Sequence, residues 1–287
     1  MTNYSDLLRS ELLERAEAFT ARTGLEPYVY RSKGQTPTVL FKKHGSVGAP
    51  QHGNFMPASY AAIQGTPTWE QRLGKPHSQR VRALHEQDQA SAKELDSCTS
   101  SDALLMNIFC HPSTGTNRQL AALFGLKGTL ALEFGFKANL PFAGGGTEPR
   151  SSEIDLKLSD GPLGRTVLIE AKLTEHNFTS REKMHVEHYS GFAQVFTTHQ
   201  LPIEGDKYRH YQLLRNVLAA NHFNGWFCLV CDQRRQDLQD AWREVMQAVT
   251  SPELRSRCRM ITWQQIATTL PVELQAFLEE KYGIRSA

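Results

Sequence analysis

No apolar run in this chain approaches the roughly 20 residues that a membrane-spanning helix needs. The longest is Trp226-Phe227-Cys228-Leu229-Val230-Cys231. A secretory leader is not expected either, because Asp6, Arg9, Glu11, Glu14 and Arg15 interrupt any apolar stretch at the N-terminus. Cysteine is scarce: five residues at irregular spacing argue against a disulfide framework and for a reducing compartment, so a cytoplasmic location without membrane contact is expected. A nucleoside-triphosphate loop of the form GxxxxGK[ST] is absent, as are a GxSxG elbow and a Cys–His signature. These absences exclude the common NTPase and serine or cysteine hydrolase classes. Charge of one sign is also lacking, since the net charge is only +2. There is no internal repeat and no low-complexity tract.

What is present is an ordinary globular composition. Hydrophobic residues at 40% and charged ones at 22% suffice for a buried core, and 287 residues allow one large domain or two modest ones. Residues 5–22 have helical periodicity, with Ser5 placed to cap and Leu8, Leu12, Leu13, Ala16 and Phe19 near one face. Scattered Gly and Pro over residues 23–85 predict a loop-rich region with helical turns near 57–63 and 67–73. Regular structure strengthens after residue 98, with helices over Asp102–Phe109 and Asn117–Phe124. Strands follow over Leu130–Leu140, Ser152–Leu158 and Thr166–Leu173, then a helix over Lys207–Ala220, a buried strand over Gly225–Asp232 and a helix over Asp237–Val249. A strand near Arg259–Thr262 and two helices, Gln264–Leu270 and Val272–Lys281, complete the chain. The order predicts a mixed sheet with helices on both faces, in a domain over 98–287 preceded by a helical, loop-rich basic region over 1–97. Cys228 and Cys231 form a CxxC, but on a strand they point to opposite faces, so they read as small buried hydrophobes.

The chemistry concentrates on two of these strands. In Ser152–Leu158, alternation sets Ile154, Leu156 and Leu158 on one face and Glu153, Asp155 and Lys157 on the other. In Thr166–Leu173, Val167, Ile169, Ala171 and Leu173 share a face, and Glu170 and Lys172 take the opposite one, away from the core. A short connection predicts an antiparallel hairpin, which puts Asp155 beside Glu170 with Lys172 one step along. Two adjacent carboxylates repel unless a cation lies between them, and Mg²⁺ is bound by one or two carboxylates with waters and phosphate oxygens. A lysine on the same face orients a metal-activated water and offsets charge growing on a phosphate. The string [DE]-x-K occurs at 155–157, 170–172 and 279–281, but the last lies on a helix, where residues two apart do not face one another.

Glu153-Ile154-Asp155 followed by Ile169-Glu170-Ala171-Lys172 resembles the PD-(D/E)xK superfamily of restriction-endonuclease-like nucleases over roughly residues 98–262. The resemblance implies an α/β/α sandwich with an αβββαβ core, Asp155 and Glu170 as metal ligands with the Ala171 carbonyl, and Lys172 as the catalytic lysine. Ile154 stands where the motif's name has proline. Many members add an acidic residue from the first core helix; here that helix offers Asp102 and Asn107, and Glu133 on the first strand is the chosen helper. Tyr211, Gln212 and Arg215 have two readings, polar groups turned toward the site or a phosphate, and a solvated helix face. His176, His185 and His188 lie in a polar loop with groups able to touch phosphate, read as a mobile surface loop in preference to a second metal site.

Between Pro27 and His85 eight cations, Lys42, Lys43, Arg80 and Arg82 among them, face Glu70 alone, so this segment carries +7 and the rest −5. Tyr28, Tyr30, Phe41, Phe55, Tyr60 and Trp69 are interleaved with them. Such a mixture suits a phosphate backbone with base stacking, or else a charged surface over a small aromatic core. The expectation is a nuclease using Mg²⁺ or Mn²⁺, with DNA favoured over RNA. The alternative is a nucleic-acid-binding protein of the same fold that no longer cleaves. A homo-oligomer is left open.

Overall fold

The computed structural model describes residues 3–25, 27–29, 38–44, 51–77, 92–148, 153–161 and 164–286. Its principal helices are α1 (Tyr4–Thr23), α2 (Pro57–Gln64), α3 (Ser101–Phe109), α4 (Arg118–Leu123), α5 (Tyr211–His222), α6 (Gln236–Ala248) and α7 (Val272–Tyr282). The central strands are β1 (Ala131–Lys137), β2 (Glu153–Ser159), β3 (Thr166–Ala171), β4 (Trp226–Cys231) and β5 (Cys258–Thr262). No helix among the described residues is long and apolar enough to cross a membrane. The chain divides into two compact units, Met1–Leu120 with Trp263–Ala287, and Ala121–Thr262. The expected division at residue 97/98 differs from this one: α3 and α7 belong to the first unit.

In the first unit α1 is capped by Asn3, whose side chain accepts from the Asp6 N–H, rather than by Ser5, which is buried. The helix stops at Gly24, in the left-handed conformation that glycine adopts without penalty. Leu12, Ala16 and Phe19 are buried on one face, and Ala16 and Phe19 pack with Val39, Phe41 and Cys98. Phe41 of this core, and Phe55 and Tyr60, which stack on each other, are all buried, so three aromatics of the basic segment do not present their rings for stacking on bases. Arg72 and Lys75 both grip Asp102, at 3.1 and 2.6 Å, so two of the eight cations are neutralised internally and Asp102 is engaged by them.

Lys281, on α7, is fully buried between the rings of Phe19 and Phe41, 4.4 and 3.8 Å from their centroids, and donates to the Gly53 carbonyl at 2.8 Å. Gly53 comes so close that a Cβ would stand 2.3 Å from Phe41 Cδ1. Burial depresses the Lys281 pKa to about 7, against the opposing influence of Cys98 and Glu280.

The second unit carries the five-stranded sheet in the order β5-β4-β3-β2-β1. β1, β2 and β3 form an antiparallel meander, and β4 runs parallel to both β3 and β5, so the sheet is mixed as expected. Leu213, Leu214 and Val217 of α5 and Leu238, Trp242 and Val245 of α6 pack with Leu168, Phe227 and Leu229 of the sheet. The helix expected over Lys207–Ala220 starts later. Lys207–Tyr208 is instead the middle strand of a small sheet with Arg181–Glu182 and Ile203–Glu204, because Gly205 turns the chain at φ 59° and His210 adopts φ 59° at the N-cap of α5. Short helices at Lys183–Glu187 and Phe192–Val195 occupy a stretch whose composition suggests, in part, a loop.

Both ladders of β2 are interrupted at Asp155. On the β1 side, Phe134 pairs with Leu156 and Phe136 with Ile154, while Gly135, which would oppose Asp155, has φ 69° and is skipped. On the β3 side, pairing ends at Leu156 with Ile169. Only glycine takes that backbone conformation freely. Gly135→Ala should therefore destabilise the protein by about 1–3 kcal/mol in urea unfolding, and Gly135→Asn by less; equal stability of all three proteins would exclude the left-handed kink.

Lys281 supplies a second expectation. Its folded pKa lies below its unfolded value of 10.5, so the unfolded chain binds more protons between pH 7 and 10.5 and this residue's contribution to stability rises with pH across that window. The stability advantage of Lys281→Met over wild type should grow as pH falls from about 10 to about 7 and then level off. A pH-independent difference in denaturation midpoint would show that the amine is not dehydrated.

Candidate active site

The end of β3 is where the three sequence-derived residues meet. Asp155, opposite the Gly135 kink, turns its Oδ2 to accept the Ala171 N–H at 2.7 Å. A side-chain carboxylate thus serves that backbone donor just where the β2–β3 pairing gives out. Glu170 and Lys172, two apart on an extended strand, point the same way, and Lys172 Nζ lies 2.8 Å from Glu170 Oε1. Asn216 of α5 donates to Glu170 Oε2 at 2.9 Å. Both carboxylate oxygens of Glu170 are therefore held.

This face of the sheet is not turned to solvent, contrary to the alternation argument. Glu170 and Lys172 are 4% and 6% exposed, and β3 is buried on both faces because α5 covers the polar one. Burial by itself would lower the Lys172 pKa, but the charges of Glu170, Glu175 and Asp155 and the hydrogen bond that Lys172 donates to Glu170 together raise it above the usual lysine value. The ammonium also lies 5.7 Å from the centroid of the Phe178 ring.

The chain just beyond Lys172 is tied down. The Lys172 N–H donates to the Val230 carbonyl at 2.8 Å, and the Leu173 N–H to Glu175 Oε2 at 2.7 Å. Arg235, fully buried, donates to the carbonyls of Leu173 and Glu175, both at 2.6 Å, while Asp237 balances its charge. Each of these buried groups has its partner, as burial of polar atoms requires.

The donor set suits a hard divalent cation. Three carboxylates act on the one Lys172 ammonium, which leaves an excess of negative charge, and every ligand atom the cluster offers is oxygen. Among the described residues no group of three or more His, Cys, Asp or Glu side chains is arranged to hold a metal. An ion here would rest on Asp155, Glu170 and the Ala171 carbonyl, completed by water.

The other candidates are placed differently. Glu133 stands opposite Lys157 in the β1–β2 ladder and forms a half-exposed ion pair with it at 2.9 Å, one pair removed from the kink. Gln212 donates its backbone N–H to the Phe178 carbonyl. Arg215 fits neither reading of its helix face: it is 1% exposed, paired with Glu148 at 2.8 Å and bonded to the Ala138 carbonyl at 2.6 Å. Tyr211 bonds Tyr189, hydroxyl to hydroxyl, at 2.8 Å. Lys42 and Lys43 are exposed in the first unit beside a cleft of about 600 Å³ lined also by His52, Tyr60 and Asp96. Arg80 and Arg82 lie outside the described residues.

Sequence reasoning missed Asn216, Glu175 and Arg235. Asn216 lies one helical turn beyond Gln212 on the same face, which was the signal that could have found it. Cys228 and Cys231 are buried free thiols, and burial pushes Cys231 up to about 12.

No curated protein and no solved structure matches this chain. Residues 25–283, nearly the whole length, match the model of the family described as Restriction Endonuclease associating with ARP. The central five-stranded mixed sheet with its helices is consistent with that match, and the chain belongs to this restriction-endonuclease family.

Proposed function

We propose that the protein is a metal-dependent nuclease of PD-(D/E)xK type that hydrolyses phosphodiester bonds in DNA, with Asp155, Glu170 and Lys172 as its catalytic group. The observation that carries this reading is the juxtaposition of Asp155 with the Glu170–Lys172 ion pair at the interrupted end of the β2–β3 ladder. Mg²⁺ or Mn²⁺ bound by Asp155, Glu170 and the Ala171 carbonyl would supply an acidified water and neutralise phosphate charge. Lys172, held beside Glu170 as an ion pair, would donate hydrogen bonds to a phosphate oxygen and offset charge developing there. Asn216 fixes the rotamer of Glu170, and Arg235 and Glu175 fix the chain that carries Lys172. Lys42 and Lys43, with Arg80 and Arg82, would grip the phosphate backbone. The family description names association with ARP, and we extend that to a protein partner for this chain.

Purified protein should cleave DNA with Mg²⁺ or Mn²⁺ and not with EDTA. Asp155→Asn, Glu170→Gln and Lys172→Met should each lower cleavage about a hundredfold or more. Because the Glu170–Lys172 pair is buried, Lys172→Met alone should also cost about 3–5 kcal/mol of stability, and the double variant Glu170→Gln/Lys172→Met less. Full cleavage by folded Lys172→Met would remove this residue from the chemistry. No metal-dependent cleavage by the wild type would favour the binding-only alternative.

A second test concerns affinity. Lys42→Gln/Lys43→Gln should reduce the log–log salt slope of duplex binding by up to about 0.9 for each phosphate that is no longer neutralised, while cleavage recovers at saturating DNA. An unchanged slope would show that these lysines do not touch the backbone.

A further inference from the structure

The segment that leaves Lys172 leads to a second polar cleft in the same unit. Its carbonyls at Phe178 and Thr179 accept the N–H groups of Gln212 and Tyr211, both at 3.0 Å, and so cap the otherwise unsatisfied first turn of α5. Phe178 turns its ring to the Lys172 ammonium, and Thr179 is held at φ 57°. A β-branched residue rarely adopts that conformation, and such strain persists only where the surroundings enforce it. Two and three residues beyond Phe178, at most about 11 Å of extended chain, Ser180 and Arg181 enter a cleft of about 240 Å³. Its remaining lining is Glu182, His185 and Lys207.

The cleft is firmly constructed. Arg181–Glu182 and Lys207–Tyr208 are neighbouring strands of the small sheet, with Lys207 opposite Glu182. The His185 ring packs edge-on against Tyr189 and Tyr211, at 5.8 and 6.1 Å between centroids. Those two hydroxyls are bonded to each other and to Glu148, which Arg215 holds from its other oxygen. Arg181 and Lys207 form no ion pair with any described carboxylate, and Glu182 is the only acid in the lining. Burial and the nearby Arg181 lower the His185 pKa, and His188 adds to this against Glu148 and Glu182.

We propose that Ser180, Arg181, His185 and Lys207 form a phosphate subsite, which takes one phosphate of a nucleic-acid strand whose reacting bond lies at Asp155, Glu170 and Lys172. The placement of the strand rests on the nuclease reading above; the subsite itself does not. A guanidinium, an ammonium, a hydroxyl and an imidazole offer the donors a phosphate needs. The group's charge would be oriented by a rigid segment continuous with the catalytic lysine.

The test uses the full chain without divalent metal, so it reads binding and not cleavage. Inorganic phosphate titrated at pH 7 should shift the His185 imidazole resonances saturably, and Arg181→Gln and Lys207→Gln should each weaken this severalfold. Lys183→Gln should not, because that ammonium lies over Tyr208 and outside the cleft lining. Single-stranded oligonucleotides with and without a 5′-phosphate then identify the source. Tighter binding of the phosphorylated strand, abolished by Arg181→Gln, indicates a terminal monoester. Equal binding, weakened for both strands by Arg181→Gln with a salt slope shallower by about 0.7, indicates an internal diester. A non-saturating response in the wild type, unchanged binding in Arg181→Gln and Lys207→Gln, or an equal loss in Lys183→Gln would overturn the proposal. A wild type that binds phosphate but cleaves nothing would refute the nuclease reading and leave the subsite standing.

Discussion

The ion pair between Glu170 and Lys172 imposes the heaviest demand on this structure, because both partners are removed from water. A buried pair is tolerable only when its remaining hydrogen-bonding capacity is met. The neighbouring elements meet that requirement: Asn216 from α5 takes the second Glu170 oxygen, and the Lys172 backbone is bonded to β4. Arg235 and Glu175 then hold the chain that follows. The helix that covers this face of the sheet is thus also the element that orients its acid.

Asp155 is coupled to the pair through the backbone. The Gly135 kink and the end of the β2–β3 ladder release Asp155 from regular pairing, and its carboxylate then receives the N–H of Ala171, the residue between Glu170 and Lys172. A regular ladder at this position would offer a carbonyl to that donor and leave the carboxylate elsewhere. The irregularity of the sheet is consequently part of the site's geometry, as bulges near functional sites often are.

Charge in the first unit also serves structure more than its composition suggests. Arg72 and Lys75 converge on Asp102, and Lys281 is enclosed by Phe19 and Phe41. The interleaved aromatics Phe41, Phe55 and Tyr60 are interior residues. Of the basic residues singled out for nucleic acid, Lys42 and Lys43 are the described ones that remain exposed.

The sequence by itself determined the antiparallel β2–β3 hairpin, the mixed character of the sheet and the nearness of Asp155, Glu170 and Lys172, because a period of two and short connections dictate which neighbouring strands pair and which side chains share a face. It did not determine what covers each face. Alternation separates Glu170 and Lys172 from Val167 and Ile169, yet it is silent on whether the opposite face meets water or a helix. Tertiary structure decided that α5 lies there, so that Asn216 touches Glu170 and Arg215 is drawn to Glu148. It likewise decided that residues distant in sequence, Arg72 and Lys75 with Asp102, or Lys281 with Gly53, would meet. Periodicity records local geometry, whereas burial and charge pairing depend on which elements the completed fold brings together.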